Sequence, residues 1–160
     1  MVKAKVEAID TRRQLIMNST KKGIPYEEAV FEVLSQFAAA SGDEAVRTGQ
    51  TWGLIKNCVK GDVTVAVNKL AARGHLVNVV FEAKSMSMSR EEWRKELNIA
   101  MTNRAAEVSV AVVQFIEQMP SKSRVSIQDN QQLLVAFDPE TDDPAVLGCI
   151  YNIAKAYAVS

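Results

Sequence analysis

His75 is the only histidine in the chain, and Cys58 lies 17 residues ahead of it. An imidazole that accepts a thiol proton creates a nucleophile, so this pair is the first place to look for covalent chemistry. Spacing along the chain does not bring the two together, and an exposed histidine beside a small buried thiol is the plainer expectation. Cys149, the other cysteine, is remote in sequence, so two free thiols are expected. One histidine without a Cys-x-x-Cys pair leaves no ligand set for structural zinc. Asp138, Glu140, Asp142 and Asp143 supply oxygen ligands of the kind that bind calcium or magnesium. Their spacing lacks the glycine and closing glutamate of an EF-hand loop, and a cluster that caps the helix opening at Pro144 accounts for them. Gly42, Gly49 and Gly53 do not form a phosphate cradle, and there is no Gly-x-Ser-x-Gly elbow. The chain therefore reads as non-enzymatic, with no cofactor, no metal and no identifiable small-molecule ligand.

Nucleic-acid chemistry has stronger support. Net charge is zero, but residues 51–84 carry five basic side chains against Asp62 and Glu82. Within that stretch a winged helix-turn-helix at 50–84 can be drawn, with residues 50–56 as first helix, 59–62 as turn and 63–73 as the helix that enters the groove. Val63, Val67 and Leu70 would face inward. Lys56, Lys60, Thr64, Asn68, Lys69, Arg73 and Lys84 would face DNA, Asn68 at an adenine edge and the cations on phosphates. The same residues admit a second reading: Val63, Val65 and Val67 alternate as a strand does, and β-branched residues favour one. Helix is the preferred reading of the two.

These residues need elements to carry them. A basic amphipathic helix is expected over 5–19, and a second from Pro25 to about Ser41, with Glu27 and Glu28 at its positive end. Asp43 could cap a third over 43–57, weakened by Gly49 and Gly53. A strand follows at 76–83. Ser89 and Glu92 make a capping box for the longest helical pattern in the chain, 90–119, which ends at Pro120. Such a helix would run about 45 Å, and the apolar stretch Val108–Ile116 would be central in the core or buried in an interface. Trp93, Leu97, Val108, Val112, Phe115 and Ile116 are the expected oligomer contacts. Short strands at 125–127 and 133–137 and a last helix from Pro144 complete the chain.

The expected fold is thus one α-rich α+β domain over 1–160: four or five helices around the long one, with a small antiparallel sheet from 76–83 and 133–137. No apolar run approaches the ~18 residues that span a bilayer, and no signal sequence is apparent, so a cytoplasmic location and no membrane partner are expected. The expected function is a DNA-binding regulator acting as a homodimer or other homo-oligomer. The alternative is a protein-interaction or assembly subunit that does not bind nucleic acid.

Overall fold

The computed structural model describes residues 25–129 and 131–160; the helix expected over 5–19 lies outside them. Pro25 opens helix α1 (Pro25–Ser41), where its fixed φ and missing N–H are tolerated, and Glu27 and Glu28 occupy the first turn. Tyr26, Val30, Leu34 and Ala38 recur every four residues and are buried. Gly42, at φ +74°, ends the helix in the left-handed conformation that a side chain resists.

Three antiparallel strands follow: β1 (Glu44–Arg47), β2 (Val63–Ala66) and β3 (Asn78–Ala83). Helix α2 (Arg90–Asn103) then crosses over to β4 (Val108–Val113), which runs parallel to β3. A 3₁₀ turn (Ile116–Gln118) leads to β5 (Val125–Ile127), β6 (Gln132–Ala136) and helix α3 (Ala145–Val159). The six-stranded mixed sheet has the order β1-β2-β3-β4-β6-β5, with β4 parallel to both of its neighbours and β5 antiparallel at the edge.

Strand alternation splits the core into two layers. Val63, Val65, Val79, Phe81, Val110, Val112, Leu133 and Val135 face α1 and α3, while Ala111, Val113, Leu134 and Ala136 face Trp93 and Leu97 of α2. Burying these apolar faces on both sides supplies most of the stability, roughly 25 cal/mol per Å² removed from water. No helix among the described residues is long and apolar enough to cross a membrane.

The structure overturns the α-rich expectation: the described residues hold three α-helices and a six-stranded sheet, not four or five helices around a long one. The expected 90–119 helix stops at Asn103. Arg104 caps it, Ala105 turns left-handed at φ 50°, and the N–H of Ala106 closes on the carbonyl of Met101. The signal for that end is usually glycine, and here it is alanine. Beyond it, Val-Ser-Val-Ala-Val-Val is a strand buried on both faces; such strands of parallel sheets read as continuous apolar runs rather than alternating ones. The expected helix over 43–57 is instead β1 and a long loop. The two strands expected to pair, 76–83 and 133–137, are separated by β4.

The winged helix-turn-helix is also absent. Val63–Ala66 is a strand hydrogen-bonded between β1 and β3. Only a single turn follows it, closed by Gly74 N–H on the Lys69 carbonyl, with Arg73 itself at φ 53°. Three β-branched residues at the start of the segment outweigh the helix-forming Leu-Ala-Ala-Arg at its end.

Candidate functional site

The sheet register creates an unusual juxtaposition. β2 and β3 pair with Val63 opposite Phe81, and Asp62, just ahead of β2, lies alongside residues 81–83 of β3, close enough for its charge to act on Glu82. Like charges close together on neighbouring strands destabilise a sheet. The backbone nevertheless holds both tightly. The Asp62 N–H donates to the Phe81 carbonyl (3.0 Å), and the Asp62 carbonyl accepts from Thr48 N–H (2.9 Å). One carboxylate oxygen, Asp62 Oδ2, accepts from Ala83 N–H at 2.8 Å, and Glu82 Oε1 accepts from Gly61 N–H. Gly61 takes φ +102°, and a Cβ there would meet the Arg104 stem at 2.6 Å, so only glycine serves.

Lys84 stands two residues beyond Glu82, which puts both side chains on the same side of the strand. Glu96 of α2 approaches from that side. It accepts two bonds from Lys60 Nζ, at 2.6 and 2.7 Å, and one from Lys84 Nζ at 3.2 Å. Glu27, in the first turn of α1, lies close enough to feel the charges of Asp62, Arg47 and Lys84. Both lysines are thus engaged by Glu96. Among the described residues, no lysine or arginine forms an ion pair with Asp62 or Glu82, and no hydrogen bond reaches Asp62 Oδ1, Glu82 Oε2 or the Glu27 carboxylate.

The electrostatic result is a site that resists its own negative charge. Burial first, then the neighbouring Asp62, pushes the Glu82 carboxyl up to about 8. Burial and Asp62 likewise raise Glu27 to about 7, partly offset by Arg47 and Lys84. Asp62 is shifted upward as well, chiefly by burial. Glu96 behaves oppositely: burial works to raise it, but the hydrogen bonds and charges of Lys60 and Lys84 hold it below the ordinary carboxylate value. The charges of Lys84 and Arg47 offset the upward shifts of Asp62 and Glu82 only in part, Lys84 acting on both carboxyls and Arg47 on Asp62.

As oxygen donors, Asp62 and Glu82 suit one class of ion. No three acidic, histidine or cysteine side chains among the described residues are grouped so as to hold a metal ion. That rules against a cage made wholly of side chains. Mg²⁺ is usually bound by one or two carboxylates, its remaining positions filled by water and substrate phosphate oxygens. Asp62 and Glu82 offer such a pair of hard oxygen ligands, each with one oxygen already oriented by a backbone N–H.

Among the residues singled out from the sequence as DNA contacts, only Lys60 and Lys84 fall in this site, both bound to Glu96. Lys56, Lys69 and Arg73 are exposed elsewhere. Thr64 is tied to Thr48 at 2.9 Å, and Asn68 is occupied inside the fold, donating to the Ser41 carbonyl and Asp43 and accepting from Ala71 N–H. These seven residues do not share a face. Of the expected oligomer contacts, Trp93, Leu97, Val108 and Val112 are sealed in the chain's own core, Ile116 packs against that core and Phe115 is partly exposed. Cys58 lies near the start of β2, while His75 is beyond its far end. The acidic loop is spent on local structure: Asp138 accepts from Glu140 N–H, Asp142 pairs with Arg124 at 2.8 Å, and Asp143 caps Ala145 N–H.

Sequence reasoning missed Glu27, Asp62, Glu82 and Glu96. One signal was available: Val79-Val80-Phe81 is an apolar run that breaks into a glutamate, and glutamate is almost never buried unless it is paired or put to use. Compared with protein-family models, curated proteins and solved structures, the chain matches none.

Proposed function

We propose that this protein hydrolyses phosphodiester bonds in nucleic acid with the help of a divalent cation. The observation that carries this reading is the pair of neighbouring carboxylates, Asp62 and Glu82, that no ion pair neutralises among the described residues, with Lys84 two residues beyond Glu82 on the same strand. Asp62 and Glu82 would hold the cation. A bound divalent ion neutralises phosphoryl oxygens and lowers the pKa of water, which is the chemistry that phosphodiester hydrolysis needs. Lys84 is placed to leave Glu96 and donate to a non-bridging oxygen as negative charge accumulates there. Glu27, with its carboxyl raised to about 7, is the group available to take a proton from the attacking water as its bond to phosphorus forms; the bond from phosphorus to the sugar oxygen breaks, and that oxygen takes its proton from solvent. Glu96 keeps Lys84 oriented between turnovers. The expectation of a nucleic-acid partner is retained here, but it rests on the sheet's carboxylates rather than on a groove-reading helix.

The test is cleavage of labelled single- and double-stranded DNA and RNA in Mg²⁺ or Mn²⁺, with EDTA as control. Wild-type protein should cleave at least one of these. Asp62→Asn and Lys84→Ala should each lower the rate at least 100-fold with the fold intact by circular dichroism. Full activity in Asp62→Asn, or no cleavage of any substrate by wild-type protein, would overturn the assignment.

A further inference from the structure

The loop between β1 and β2 is long, and it is held with unusual firmness for a loop. Arg104, a buried guanidinium at the end of α2, donates to the carbonyls of Thr48, Thr51, Val59 and Lys60. Asn103, also buried, receives Ile55 N–H on Oδ1 at 2.9 Å and donates to the carbonyls of Cys58 and Lys60. Gly53 packs so closely on Asn103 that a Cβ would lie 2.2 Å from its carbonyl oxygen. A buried charge and a buried amide are committed to fixing one loop.

What this firmly held loop presents to solvent is apolar. Trp52 is 66% exposed and Leu54 75%, and Ile55 and Val59 are also open. A loop that has seven such hydrogen bonds and yet leaves its tryptophan outside is not protecting a core. Its charge is one-signed: residues 47–61 contain Arg47, Lys56 and Lys60 and no acid. Its ends are Thr48, bonded to Asp62, and Lys60, bonded to Glu96, so it starts and finishes at the carboxylate site.

We infer that this loop is a stacking platform for a nucleic-acid strand with unpaired bases, Trp52 taking a base face while Lys56 and Lys60 follow the phosphates toward Asp62 and Glu82. Preorganised aromatic side chains beside a basic track are how proteins hold single strands without reading sequence. The inference deepens the hydrolase reading by naming unpaired nucleic acid as the substrate class, and it rests on that reading only for the direction of the strand.

Trp52 and Trp93 are the chain's two tryptophans, and Trp93 is fully buried, so quenching by an added strand reports on Trp52 over a constant Trp93 background. The experiment uses Asp62→Asn protein in EDTA, which keeps the strand intact, and titrates short mixed-sequence single-stranded DNA in one arm and RNA in the other. Quenching is expected, and Trp52→Ala should weaken binding, measured by anisotropy of a labelled strand, about tenfold or more. Trp52→Phe should restore most of it. Unchanged affinity in Trp52→Ala, or equal affinity for fully paired duplex, overturns the inference. So does light scattering in which Trp52→Ala dissolves a dimer without touching strand affinity, which would assign the loop to a second copy of the chain. Trp52-dependent binding without any cleavage by the wild-type protein would fail the hydrolase reading alone; cleavage indifferent to Trp52 would fail this one alone.

Discussion

Replacing Glu82 by glutamine should make the cation-free protein more stable while abolishing its chemistry. Glutamine keeps an oxygen for the Gly61 N–H and fills the same space, but it cannot ionise beside Asp62. Wild-type Glu82 has an ordinary value of 4.5 and a folded value of about 8, so at pH 7 it must keep a proton that the unfolded chain would release. At about 1.4 kcal/mol per pH unit, that requirement costs about 3 kcal/mol at pH 7. Allowing Asp62 to relax, a gain of about 2 kcal/mol is expected, or about 4–8 °C in melting temperature for a domain of this size. The sign follows from proton counting. Between pH 4.5 and 8 the folded state binds more protons than the unfolded one, so wild-type stability falls as pH rises through that window. Glu82→Gln should remove Glu82's share of that slope and leave the shallower part owed to Glu27 and Asp62. Urea unfolding in EDTA at pH 5, 7 and 8.5 reads it directly: the two proteins should nearly coincide at pH 5 and diverge at 8.5. Added Mg²⁺ should stabilise the wild-type protein and leave the variant unmoved. A variant less stable than wild type at pH 8.5, or a gap that does not widen with pH, would refute the electrostatic account of this pair.

A second carboxylate predicts the opposite pH behaviour. The Asp43 side chain is fully excluded from solvent; burial works to raise it, but bonds from Tyr151, Lys155 and Asn68 hold it below the ordinary value, so its contribution should be present above about pH 4 and lost on acidification. Tyr151→Phe, which deletes one of those donors, should cost about 1–3 kcal/mol in urea unfolding at pH 7. Arg104→Met removes four bonds to loop carbonyls and should cost about 2–4 kcal/mol, with limited proteolysis appearing within residues 48–61 that wild-type protein resists.

Where local chemistry decides the structure, the residues announce it. Pro25 with Glu27 and Glu28 marks the start of α1, the Ser89–Glu92 capping box is present in full, and the strand at Val125–Ile127 lies where the sequence predicts it. Where the outcome depends on partners far along the chain, local rules fail. Val108–Val113 is apolar but for Ser109, because β3 and β6 flank it and helices cover both faces; periodicity cannot tell such a strand from a buried helix. Val63–Ala66 becomes a strand because β1 and β3 are there to bond it. The candidate site was hidden for the same reason. Asp62 read as the last residue of a turn and Glu82 as an ordinary charge, and only the pairing of β2 with β3 brings together two residues 20 apart in sequence.

The outer strands of the sheet carry a further consequence. β1 has four residues and β5 three, and Val125 and Ile127 on β5 are open to water. A free strand edge is a template on which another chain can add, the first step of fibril growth. Here any intermolecular ladder at β5 could gain only three rungs, and it is bordered by Lys122 and by Arg124, whose guanidinium is anchored to Asp142. The most β-rich part of the molecule, β3, β4 and β6, is thereby kept away from other chains.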